Sequence, residues 1–245
     1  MMSTVNWIAK KEFAGYFLTP IALVFLVTFL LMSVCATYFW GQFFILNEAS
    51  LRAYFYWLPF ILAAFVPAVG MRLWCEERRQ KTFELLLTMP IHIWQAVLGK
   101  FLAGVAFLLL GLILSFPIPL TVILLGQPDF GPMLCGYLGS LLLSAAMLAI
   151  CSLLSAVTSN QVISYVSSAV ICLFLILGGH QSTMMFLREW LGSGRIHEML
   201  AGLSVSRRFE TFQRGVIDIG DCVYLLSIIA IFLLGTILVL QKSKR

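Results

Sequence analysis

Few residues in this chain of 245 are of types that do chemistry, and fewer are spaced to do it. Six cysteines, Cys35, Cys75, Cys135, Cys151, Cys172 and Cys222, lie far apart with no CxxC pair. That spacing indicates neither a zinc site nor a disulfide framework; most sit in apolar runs, where they read as small packing residues. His180 and His197 have no further ligand at metal-binding spacing. The phosphate-cradling pattern GxxxxGK[ST] is missing: at its nearest fragment, Gly99-Lys100, Trp94 stands in place of the first Gly and Phe101 in place of Ser or Thr. Neither HExxH nor GxSxG occurs. Ser140, Ser144, Ser164 and Ser168 lack a partnered His or Asp and read as small residues that let helices approach. What remains is one stretch, EERRQKTFELLLTMP, residues 76–90.

Glu76, Glu77, Arg78, Arg79 and Lys81 crowd the start of that stretch, and Pro90 ends it. Between them Thr82 is a helix cap by type. Glu84 falls in the first turn, where the helix dipole favours a carboxylate. Phe83, Leu85, Leu86 and Leu87 give an apolar surface, followed by Thr88. On residues alone two readings stay open: a short rigid knob suited to a groove on a soluble partner, or an interfacial turn with snorkelling Arg78, Arg79 and Lys81.

The elements that must hold this stretch follow from composition. Apolar residues make up 61% of the chain and charged ones 11%, against about 25% in soluble proteins. So much apolar surface needs lipid as solvent. The expected fold is an all-α integral membrane protein, a single domain over residues 1–245. Six transmembrane helices are expected at 20–40, 54–74, 98–125, 133–157, 162–179 and 222–241, with the polar stretch Thr158–Gln161 as a turn. The first run is longer than the h-region of a signal peptide and reads as a retained span. Residues 4–19 read as an interfacial helix, with Trp7, Ile8, Phe13, Phe17 and Leu18 around Lys10, Lys11 and Glu12. Residues 180–220 form a long loop with short amphipathic helices at 183–191 and 196–214, where Arg214 and Asp218 are spaced to pair. Aromatic clusters at 38–44 and 54–57 fit a membrane-surface belt better than a sugar-stacking track.

Charge sets the sidedness. Ten Lys and Arg lie with the termini and the 72–100 region, and six on the other side, five of them in the long loop. The positive-inside rule places both termini and residues 76–90 in the cytoplasm. The net charge of +5 belongs to the ends of apolar runs, which points to membrane lipid and not to nucleic acid. The cores of the expected spans carry no ionisable relay, which argues against a secondary transporter or ion pump. A chain without fuel needs another chain to supply it, on the cytoplasmic side.

At this point the sequence is similar to a known family. EERRQKTFELLLTMPIHIWQAVLGKFLAG resembles the central region of ABC-2 type permeases, the membrane subunits of bacterial ABC exporters. Glu76, Glu77, Arg78, Thr82, Glu84, Leu85, Leu86, Thr88, Pro90, Gly99 and Lys100 match the family pattern, and Lys81 stands where Gly is usual. Phe209–Asp218, FETFQRGVID, is similar to the gliding-motility-type branch. The resemblance implies a permease in the bacterial cytoplasmic membrane whose coupling helix, within 76–90, docks on a separate ATPase subunit dimer. That partner would hold ATP and Mg; this chain would hold no cofactor and have no enzymatic activity. It also implies a second permease, a homodimer copy or a related chain, with a pathway lined by the first, second and fifth spans. Ser164, Ser167 and Ser168 would permit close approach there. An accessory envelope protein is a further possible partner, and the substrate is not implied. The alternative is a non-transporting scaffold that passes ATPase-driven force or signal to envelope proteins. An ATP-dependent flux separates the two.

Overall fold

The computed structural model describes residues 2–18, 20–41, 50–80, 92–126, 128–178 and 204–242. These residues form helices and no strand. Without water, each backbone N–H and C=O must be satisfied inside its own segment, and an apolar chain meets that demand as helix. In order they are α1 (Met2–Leu18), α2 (Pro20–Cys35), which runs on into a π-helical turn at Ala36–Trp40, α3 (Arg52–Gly70), α4 (Arg72–Arg79), α5 (Ile93–Leu114), α6 (Pro117–Leu125), α7 (Phe130–Val157), α8 (Gln161–Leu177), α9 (Val205–Gln213) and α10 (Ile219–Lys242). Among the described residues five helical stretches are long and apolar enough to cross a membrane: Ala22–Trp40, Arg52–Arg79, Ile93–Leu125, Phe130–Val157 and Ile219–Lys242. The apolar helix Gln161–Leu177 is shorter, at 17 residues.

α7 is the hub, packed against α3, α4, α5, α8, α9 and α10. Its sequence explains this. Ser140, Ser144, Ala145, Ala149, Ser152, Ser155 and Ala156 are all buried on it, and small side chains let helices approach closely where lipid gives no hydrophobic drive. The hydroxyls bond within the helix, Ser140 to the Gly136 carbonyl and Ser144 to the Leu141 carbonyl. Beyond Val157, the Asn160 side chain accepts from the Val162 N–H at 2.9 Å and opens α8.

α5 and α6 are one apolar stretch broken at Ser115-Phe116, where Pro117 cannot continue the ladder. Buried Ser115 covers the break. Its Oγ donates to the Leu112 carbonyl at 2.7 Å and lies 3.0 Å from Tyr54 Oη and 3.1 Å from Tyr137 Oη. The same hydroxyl group therefore ties α3, α5 and α7 together.

At one end of α7, α9 closes the bundle with its apolar face, burying Val205, Phe209 and Phe212. Ser204 caps it by accepting from the Arg207 N–H. Ser206 Oγ donates to the Ile176 carbonyl at 2.9 Å, and Gln213 Nε2 to the Phe55 carbonyl at 3.0 Å. Arg208 Nη1 reaches Asp221 Oδ1 at 2.7 Å and lies over the Tyr224 ring. The Arg214–Asp218 pair expected from spacing is not made. Arg214 approaches Glu210 at 3.9 Å, one turn back on its own helix, whereas Asp218 lies beyond the end of α9 and accepts from the Gly220 N–H. The stretch 183–191, His180 and His197 lie outside the described residues.

Candidate functional site

The stretch singled out by sequence divides at residue 81. Glu76, Glu77, Arg78 and Arg79 form the last turn of α4. Thr82, Phe83, Glu84, Leu85, Leu86, Leu87, Thr88 and Pro90 lie outside the described residues. What the structure places is therefore the base on which residues 81–91 are mounted.

That base is built round Lys100. Lys100 lies two turns into α5 and is 4% exposed. Its Nζ is 2.8 Å from Glu77 Oε1 of α4 and 3.2 Å from Glu12 Oε1 of α1. It also lies 5.2 Å from the centre of the Trp74 ring, close enough for a cation–π attraction. A buried ammonium needs such partners, because a charge out of water is costly unless paired and hydrogen-bonded. One cation thus joins the consecutive helices α4 and α5 to α1 from the start of the chain.

Gly99 makes room for this. A Cβ at Gly99 would come within 2.7 Å of Ile8 Cγ2 and 3.3 Å of the Val5 carbonyl, so only glycine lets α1 lie this close to α5. Two turns further along α5, the Tyr16 and Phe107 rings stack with centroids 4.9 Å apart. The register Ile8–Gly99, Glu12–Lys100, Tyr16–Phe107 runs α1 alongside the first turns of α5 in the same direction. The helix expected at residues 4–19 is thus present and packs along α5. Burial pushes the Tyr16 hydroxyl above its ordinary range, with the Glu12 carboxylate adding and Arg72 opposing, so Tyr16 stays neutral. Gly99→Leu should unseat α1 at a cost of about 1–3 kcal/mol. The check is limited proteolysis: cleavage within residues 2–18 should speed up, with cleavage of α9 unchanged.

α4 is seated on α7 as well. Trp74 Nε1 donates to Ser152 Oγ at 3.1 Å, and Cys75 Sγ to the Thr158 carbonyl at 3.0 Å. Leu73, Trp74 and Cys75 are buried, whereas Arg79 is exposed. α4 therefore has a buried root and, at Arg79, an exposed end. Gly139, beside Phe212 of α9, and Ser155, beside α4, are separated by about 24 Å of α7 at 1.5 Å per residue. The Lys100 cluster and the α9 closure consequently lie at opposite ends of the bundle.

Sequence reasoning counted Lys100 as a topology charge and a match to the family pattern, and Glu12 as part of the polar face of α1, without joining the two. The available signal was their position, single charges beside long apolar runs. The close-approach role given to Ser164 and Ser168 is corrected: both are fully buried within the chain, on the face of α8 turned inward. The exposed face of α8 carries Val162, Ile163, Val166 and Val170 instead.

A family model described as "ABC-2 family transporter protein" matches residues 41–241. No curated protein matches the chain significantly. The match spans the α4 root, Lys100 and α9, and leaves α1 outside it.

Proposed function

Because the chain belongs to the ABC-2 transporter family, whose members are multi-pass membrane transport subunits, we propose that it is the permease subunit of an ATP-driven exporter. In this reading a separate ATPase subunit dimer hydrolyses ATP with Mg. Residues 76–90 dock on it and pass its closure to the membrane helices, moving a substrate across or out of the membrane. One observation carries the reading: the helix leading into that segment is rooted in the bundle by a buried ion pair and a buried indole, while Arg79 at its end is exposed. A docking segment on a loose tether would absorb motion; one on a rooted helix transmits it.

The finer parts of the proposal rest on charge and resemblance. The excess of Lys and Arg near the termini and residues 72–100 places both termini on the cytoplasmic face of a bacterial inner membrane. Gln161–Leu177 serves as a sixth span. Phe209–Asp218 supports the gliding-motility-type branch. Two permease chains flank the pathway, either two copies or this chain with a related one, with lipid around them and an accessory envelope protein as a further partner.

The purified chain alone should hydrolyse no ATP above the level of a mock preparation, because it has no phosphate-binding loop. Robust turnover by the isolated polypeptide contradicts the proposal. Sidedness is checked by placing one reactive Cys at Ser193, with the native cysteines replaced. It should react with an impermeant maleimide added outside intact cells; reaction only after the membrane is opened reverses the topology.

A further inference from the structure

α3 and α4 make up one candidate span, Arg52–Arg79, interrupted at Met71. The interruption has a visible cause on each side. Pro67 has no N–H to give the Ala63 carbonyl, which weakens the last turn of α3. Gly70 lies so close to α7 that a Cβ there would collide with the Cβ of Cys151. Past Met71 the first N–H groups of α4 lack helical carbonyls, as at any helix start. A residue of another helix supplies the acceptor. Ser155 Oγ of α7 accepts from the Trp74 N–H at 3.0 Å and the Cys75 N–H at 3.1 Å, and donates to the Met71 carbonyl at 3.0 Å. It is fully buried. A hydroxyl inserted into the backbone ladder is one of the identifiable causes of a helix break.

We propose that residues 67–71 are a hinge and that Ser155 is the positioning residue that transfers α4 from α3 to α7. Ser152 on the Trp74 indole and the Thr158 carbonyl on Cys75 complete the same seat. Displacement entering at residues 76–90 then goes first to α7, and from α7 to the helices packed round it, while α3 bends at its end. This inference rests on the coupling reading given above.

Cys75 Sγ lies 3.5 Å from Thr158 Oγ1, so Thr158→Cys sets two thiols within reach of each other. With added iodine as oxidant, each pair loses two protons and two electrons, and the disulfide is read by peptide mass spectrometry. The protein used is the full chain in complex with its ATPase subunit, with and without trapped ATP. The expected result is the same disulfide yield, within about twofold, in both states, and ATP turnover unchanged by the bond. Adding Ser155→Ala should lower the yield at least threefold, and Ser155→Thr, which keeps the hydroxyl, should restore it. A disulfide that forms in one nucleotide state only, one that halts turnover, or a yield indifferent to Ser155→Ala overturns the inference. A chain that captures no ATPase subunit overturns the coupling reading, and this inference with it. That failure is distinguishable because it is read from the composition of the complex before oxidation.

Discussion

Replacing Lys100 by Met should destabilise the chain by about 3 kcal/mol and release α1. The Met side chain reproduces the apolar stem of lysine, so packing round Phe101 and Trp74 is kept and the charge alone is lost. Glu77 and Glu12 then lose the ammonium that they share. Removing one partner of a buried ion pair costs about 3–5 kcal/mol, since it leaves the other charge buried and unmatched. The low end applies because the Glu77 and Glu12 side chains keep 21% and 33% of their exposure, against 6% for Lys100. The measurements are thermal unfolding in detergent and protease sensitivity of residues 2–18, both against wild type. Glu12→Gln and Glu77→Gln added to Lys100→Met should recover most of the loss, because the two carboxylates that shared the ammonium are then neutral. A variant with Lys100→Met alone that unfolds like wild type, with α1 equally protected, contradicts the clasp.

The helical, membrane-spanning character was legible because lipid leaves the chain little choice. Long uncharged runs must be helices, and polar interruptions such as Thr158–Asn160 must fall where the backbone turns. The site was legible only in part. The resemblance drew attention to residues 76–90 and to Gly99-Lys100, but nothing in sequence tells that Lys100 faces Glu12, 88 positions earlier, as well as Glu77. Sequence reading put Lys100 and Glu12 at the membrane surface and Glu77 in the docking segment, where each would have been solvated. Folding brings them together because Gly99 admits α1 and because α4 turns off α3 at Met71. Ser155 was invisible for a related reason. One serine among many on α7 looks like a packing residue, and its role follows from the break in a helix 80 residues away. Ser164 and Ser168 show the reverse error, since a small residue marks a close approach without telling which helix approaches.

The second large effect is expected at Glu84. In the proposed coupling helix, which the sequence expects to start at Thr82, Glu84→Arg puts a cation at the positive end, a local cost of about 0.3–1 kcal/mol. It also reverses the charge that the segment offers its partner, and reversals at desolvated contacts cost more than rim changes. The chain itself should insert and fold as before, since the Lys100 clasp and the Ser155 seat hold α4. Affinity for the ATPase subunit should fall at least tenfold, about 1.4 kcal/mol. Lys100→Met and Glu84→Arg thus separate the two halves of the account: the first loosens the root, the second blunts the tip.

The central claim is that residues 76–90 are the grip of a separate motor, and its most direct measurement is the ratio of ATPase subunit to tagged permease recovered from membranes. Wild type should retain the ATPase subunit in fixed proportion. Glu84→Arg, extracted at the same level and with the same thermal stability, should lose it together with the chain-dependent ATP turnover. Equal recovery and equal turnover in wild type and Glu84→Arg contradict the claim.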